Sequence, residues 1–115
     1  MAKKRKRMEK TKSIIQKNTD ICYLCGKPGN WEDGMLEEHH VFNGTANRKK
    51  SEQYGLKVML HGLKCHREGK MSVHRCRGTD LALKIIGQRV FEKEIGSRER
   101  FMAEFGRNYI TEDEK

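Results

Sequence analysis

No stretch of this chain is apolar and uncharged for the length a membrane crossing needs, so an integral membrane protein is not expected. Nor is there an N-terminal apolar leader with a cleavage site, and export to an oxidising compartment is therefore not expected either. Apolar material is scarce throughout: 35% of the 115 residues are hydrophobic against 36% charged, which leaves room for one domain with a small core. Something besides apolar burial has to hold such a chain together. No internal repeat is visible, and acids are nearly missing from the first 17 residues, where only Glu9 stands against Lys3, Lys4, Arg5, Lys6, Arg7, Lys10, Lys12 and Lys17. Eight basic residues against one acid give this arm +7 of the formal +9, and the remaining chain is nearly balanced.

Four cysteines are present, and in a reducing cytosol they suit a metal better than two disulfides. Cys22-Tyr23-Leu24-Cys25-Gly26-Lys27 reads as a zinc knuckle, a turn that brings two thiolates onto one ion while glycine permits the tight backbone. A second ligand pair is required. His61 with Cys65 is one choice, after a strand and at the mouth of a helix; Cys65 with Cys76, or His74 with Cys76, are the others. Zinc accepts Cys and His alike, so spacing alone does not choose among them.

The basic arm would neutralise phosphates and release counterions, giving salt-sensitive affinity for nucleic acid that is independent of sequence. A solvated tail is the plain alternative. We expect residues 1–20 to form this arm, turning helical around Met8–Lys17, and residues 21–115 to form one domain with a core at 21–78 and covering helices at 79–109. Within the core, Pro28-Gly29 and Asp33-Gly34 mark turns, and Leu36–Phe42 and Leu56–Leu60 are the plausible strands, able to pair antiparallel. The segment from Asn43 to Ser51 between them is polar and basic, and reads as a flexible loop placed to touch phosphate. A short helix near Leu63 would carry Cys65 and His66 and end before Gly69. From Thr79 the apolar spacing becomes helical, with Thr79 or Asp80 as cap and Gly96 as stop; Ser97 caps a second short helix that Gly106 ends.

Histidine is the other concentration. Glu37-Glu38-His39-His40-Val41-Phe42 is followed by Cys65-His66 and by Val73-His74, placing four of the five histidines among acids and cysteines. Imidazole both takes a proton near neutral pH and holds divalent metals, so the cluster points to a metal-assisted hydrolytic centre. Consecutive strand residues face opposite ways, so His39 and His40 share one site only if the strand bends or bulges.

Cys-x-x-Cys, acid-acid-His-His-Val-Phe, a basic segment, the Tyr54-Gly55-Leu56 strand entry, Cys65-His66, Val73-His74 and the closing Phe105-Gly106-Arg107-Asn108-Tyr109 together resemble the HNH endonuclease superfamily. More narrowly the chain resembles small prophage-encoded proteins of that type and, more distantly, phage recombination-enhancement nucleases, over roughly residues 20–110. The resemblance implies a small α+β fold: a zinc-stapled ββα-metal, treble-clef-like core with a basic N-terminal arm and C-terminal helices. It implies a catalytic cation, Mg²⁺ or Mn²⁺, held by His39, His66 and His74, with His40 as general base and Glu38 orienting it; the reverse roles for His39 and His40 stay open. Structural zinc would sit on Cys22, Cys25, His61 and Cys65. Arg48, Lys49, Lys50 and Arg67 would clamp flanking phosphates, and Asn43 and Asn47 are candidates for the asparagine of the motif's name. DNA is the implied partner, with a second copy or phage recombination or packaging proteins as further ones, in the cytoplasm of a bacterial host. A non-catalytic zinc module binding nucleic acid fits the basic residues and cysteines equally, but leaves His39-His40 beside two acids unexplained, because phosphate binding needs no proton acceptor. An adaptor using its C-terminal helices would leave the whole central cluster idle.

Overall fold

The structure, a computed structural model, describes residues 11–110. Two antiparallel strands, β1 (Leu36–His40) and β2 (Lys57–His61), form the only sheet among the described residues, in the register Leu36 to His61, His39 to Val58 and His40 to Lys57. The pleat sorts side chains by face. Glu37 and His39 share one side with Val58 and Leu60, while Glu38 and His40 share the other with Lys57, Met59 and His61.

Between the strands the chain is not a loop. Thr45–Tyr54 forms a helix, α1, which corrects the flexible segment expected from Asn43 to Ser51. Ala46, Arg48, Lys49, Lys50, Glu52 and Gln53 are all strong helix formers, and Ser51 gives the helix its buried foothold. The Ser51 hydroxyl accepts from the Phe42 N–H at 3.0 Å and donates to the Phe42 carbonyl at 2.9 Å, tying α1 to the chain just past β1.

After β2 a six-residue π-turn, Gly62–Arg67, follows at once. The Asp33 carbonyl accepts from the N–H groups of Leu63 and Lys64, at 3.1 and 2.9 Å, and so caps its start. Helix α2 (Arg77–Glu94) follows a cap at Cys76, so the expected caps Thr79 and Asp80 both lie inside it, and α3 (Arg98–Phe105) carries the expected Ser97 cap, whose hydroxyl accepts from the Arg100 N–H at 3.1 Å. These helices close an aromatic core: Phe42 packs on Phe101 and Phe105, and Phe91 on Phe101 and Tyr54, with ring centroids 4.7–5.4 Å apart. Gly87 lets α2 approach closely, since a Cβ there would come within 3.0–3.2 Å of the Phe42 ring and Val41.

Of the expected arm, residues 1–20, only Thr11–Asp20 lies among the described residues. Thr11–Asp20 is neither helical nor separate from the domain. It runs along β2, where Ser13 donates from its hydroxyl to the Lys57 carbonyl at 2.6 Å and the Gln16 amide oxygen accepts from the Met59 N–H at 2.7 Å. Tyr23 N–H takes the Met59 carbonyl at 2.8 Å, so the outer edge of β2 is covered. Lys3, Lys4, Arg5, Lys6, Arg7 and Lys10, with the start of the expected helix at Met8, lie outside the described residues. No helix of the described residues is long and apolar enough to cross a membrane.

Candidate metal centres

The first centre is built by the knuckle, the end of β2 and the π-turn. Cys22 N–H bonds to the Lys27 carbonyl and Gly26 N–H to the Cys22 carbonyl, at 2.9 and 2.8 Å, which folds Cys22 and Cys25 onto one point. His61, the last residue of β2, and Cys65, four residues on, complete a set whose ligand atoms all lie within 4.8 Å of one another. The His61 Nδ1 stands 3.2 Å from the Cys25 sulfur and 3.8 Å from the Cys65 sulfur. Tetrahedral zinc, with bonds of about 2.3 Å to sulfur and 2.0–2.1 Å to nitrogen, sets its ligands roughly 3.5–3.8 Å apart, so the donor set fits that ion. The His61 Nε2–H donates to the Pro28 carbonyl at 2.8 Å, which leaves the Nδ1 lone pair facing the thiols. Burial pushes the Cys22 thiol up, but the N–H groups of Cys25, His61 and Leu24 and a bond from Cys65 bring it down to about 7; burial and the neighbouring thiolates push Cys65 up to about 12. Three sulfurs this close repel one another as anions, and a bound cation would remove that conflict. Cys76 does not join them: it stands at the start of α2, where the hydroxyl and N–H of Thr79 hold its thiol below the ordinary value.

The second centre lies at the other face of β1. His39 is buried at 4% exposure, and its Nε2 is a buried nitrogen with no hydrogen-bond partner. His66 and His74 turn toward it, with ring centroids 5.1 and 5.7 Å from that of His39 and 4.7 Å from each other, and one nitrogen of each of the three lies within 4.8 Å of the others. The eight-residue separation of His66 and His74 is bridged by a reversal of the chain. Past the π-turn it folds back through Gly69, where a Cβ would collide with the Lys64 carbonyl, and Val73 and His74 donate to the carbonyls of Cys65 and His66 at 3.0 and 3.1 Å. Glu37 accepts from the His66 Nδ1–H at 2.9 Å and pairs with Arg67 at 2.9 Å, so the His66 Nε2 carries the free lone pair. Burial, then the nearness of His66 and His74, holds His39 down at about 3, and burial followed by His66 lowers His74. Neutral imidazoles of this kind are the form that ligates a cation.

His40 projects to the opposite face, and its partner is not the expected one. Its Nε2 meets Glu52 Oε1 at 2.8 Å, whereas Glu38 meets the Lys57 ammonium at 3.1 Å. Lys57, 4% exposed at its side chain, also reaches both Glu52 oxygens at 3.0 Å. Glu38, His40 and Glu52 lie close enough to hold a cation, but the ammonium already supplies positive charge there, so we do not read them as a third metal site. A cavity of about 230 Å³ nevertheless reaches both faces at this end of β1, lined by Glu38, His39, His40, Asn43, Arg48, His66 and His74.

Of the expected phosphate contacts, Arg48 and Lys49 are exposed on α1, and Arg48 reaches this cavity. Lys50 and Asn47 have another use: they donate to the carbonyls of Glu104 and Phe105, at 2.6 and 3.3 Å, and so cap the end of α3. Arg67 is held by Glu37. Sequence reasoning missed Glu52 and Lys57 altogether, because both contacts depend on α1; it also gave Glu37 no role, although a carboxylate two residues before a candidate ligand on the same strand face was a usable signal. Comparison with family models, with curated proteins and with solved structures finds no match to this chain.

Proposed function

We propose that this chain is a metal-dependent endonuclease of the HNH, ββα-metal type, hydrolysing phosphodiester bonds in DNA in a phage or prophage setting. The observation that carries the reading is the convergence of His39, His66 and His74, with the buried unpartnered Nε2 of His39 among them, beside a second, carboxylate-bound histidine in the same cavity. Buried polar atoms without partners are rare in folded proteins, and a cation is a partner that the three imidazoles would share.

His39, His66 and His74 would hold a divalent cation that imidazole admits, such as Mn²⁺, Ni²⁺ or Zn²⁺, more readily than Mg²⁺, and when bound it would polarise the phosphate and steady the charge growing on the departing 3′ oxygen. His40 would take one proton from the attacking water as its oxygen bonds to phosphorus, and the 3′ oxygen would leave in line and be protonated by solvent. Glu37 would keep His66 oriented, and Arg48 and Lys49 would hold flanking phosphates without reading bases. Zinc on Cys22, Cys25, His61 and Cys65 would be structural, in a treble-clef-like arrangement. Conversion of supercoiled plasmid to nicked circles by the purified chain in Mg²⁺ or Mn²⁺, and its arrest by EDTA, is the test; tight plasmid binding without cleavage in any metal would instead favour a non-catalytic zinc module in which the ion pairs around His40 are structural.

A further inference from the structure

The HNH pattern gives His40 a task but leaves it without a neighbour to aim it, since the expected Glu38 meets Lys57. In the register of the sheet His40 stands directly across from Lys57, and α1 lays Glu52 over both. A carboxylate can only accept, so the 2.8 Å contact fixes the proton of a neutral His40 on Nε2 and the lone pair on Nδ1. Glu52 is itself fixed. Both of its oxygens meet the buried Lys57 ammonium at 3.0 Å, and Oε2 also accepts the Thr11 N–H at 3.1 Å.

We infer that Glu52 is the positioning residue for His40, locking one imidazole tautomer and ring orientation so that Nδ1 is the atom that receives the proton of the attacking water. Lys57 completes the device by holding Glu52 as an anion across from His40. The inference rests on the nuclease reading for its catalytic meaning, but the tautomer is a property of the chain itself.

The experiment uses the full chain with its zinc. Glu52→Ala should lower kcat for plasmid nicking by about 100-fold or more, within the 10²–10⁴-fold that a positioned general base supplies, with KM nearly unchanged. Glu52→Asp, which keeps a carboxylate that can only accept from Nε2–H, should recover part of that loss. Nitrogen-15 spectra of histidine-labelled protein should show neutral His40 as a single Nε2–H tautomer in the wild type and in Glu52→Asp, and as a mixture in Glu52→Ala. An Nδ1–H tautomer in the wild type, or undiminished kcat in a folded Glu52→Ala, overturns the inference. If Glu52→Ala does not fold, Glu52→Asp decides: a wild-type tautomer with a modest loss in kcat supports it, and a scrambled tautomer with full kcat sinks it. A wild type that cleaves nothing overturns the nuclease reading and the catalytic role with it, whereas a cleaving wild type with an insensitive Glu52 overturns this role alone.

Discussion

At Ser51 a single hydroxyl satisfies both backbone groups of Phe42, and the residue is fully buried. Ser51→Ala would leave a buried N–H and carbonyl without that partner, at a cost of about 1–3 kcal/mol, read as a shift in the urea midpoint at unchanged slope. A similar argument applies at His39. Its burial and unpartnered Nε2 are tolerable if a cation completes them, so His39→Ala should abolish Mn²⁺ binding by calorimetry while bound zinc stays at one equivalent. At this scale residue type and spacing marked Cys22 with Cys25 as a knuckle and His39, His40, His66 and His74 as a cluster, while the grouping of His39, His66 and His74 as one ligand set came from the HNH resemblance. Choosing His61 with Cys65 over Cys76 could not be done that way, because the choice depends on where β2 ends and the π-turn begins.

Among the elements, the strands were legible as short apolar runs bounded by turn residues, and the two C-terminal helices by helical apolar spacing with cap and stop signals, as with Ser97 and Gly106 for α3. Helix α1 was not. Its exposed face carries Arg48 and Lys49, and only Ser51 is fully buried, so polarity looked like a loop although the helix propensity was high. That one misreading hid Glu52 and gave Lys50 a phosphate when it holds a carbonyl of α3. Close packing of α2 on the sheet end predicts that Gly87→Leu destabilises the protein by about 1–3 kcal/mol through overpacking against Phe42 and Val41, measured by thermal or urea unfolding.

For the molecule as a whole, a small apolar core is supplemented by two kinds of polar attachment. The first is the cysteine-rich centre: because structural zinc contributes about 10 kcal/mol or more in zinc-finger peptides, comparable to the entire stability of a small domain, stripping it with a strong chelator should unfold the chain, seen as loss of amide dispersion and its return on adding Zn²⁺. The second is the network joining Glu52, Lys57, His40 and Thr11. Burial opposes the Glu52 charge, but His40, Lys57 and the Thr11 N–H outweigh it and hold the carboxyl at about 2 against its ordinary 4.5. Its stabilising contribution is therefore complete above about pH 4.5 and is lost as pH falls toward 2, so Glu52→Gln should flatten the acid side of the stability curve. The proposed joint action of the three-histidine centre and His40 on a phosphodiester is open to a plain assay. The most direct measurement is nicking of supercoiled plasmid in Mn²⁺ by wild type and by His40→Ala, with zinc content and fold verified in both. Wild type should nick, and the variant should lose nicking while still binding plasmid and zinc; equal nicking by both, or none by either, overturns the nuclease reading.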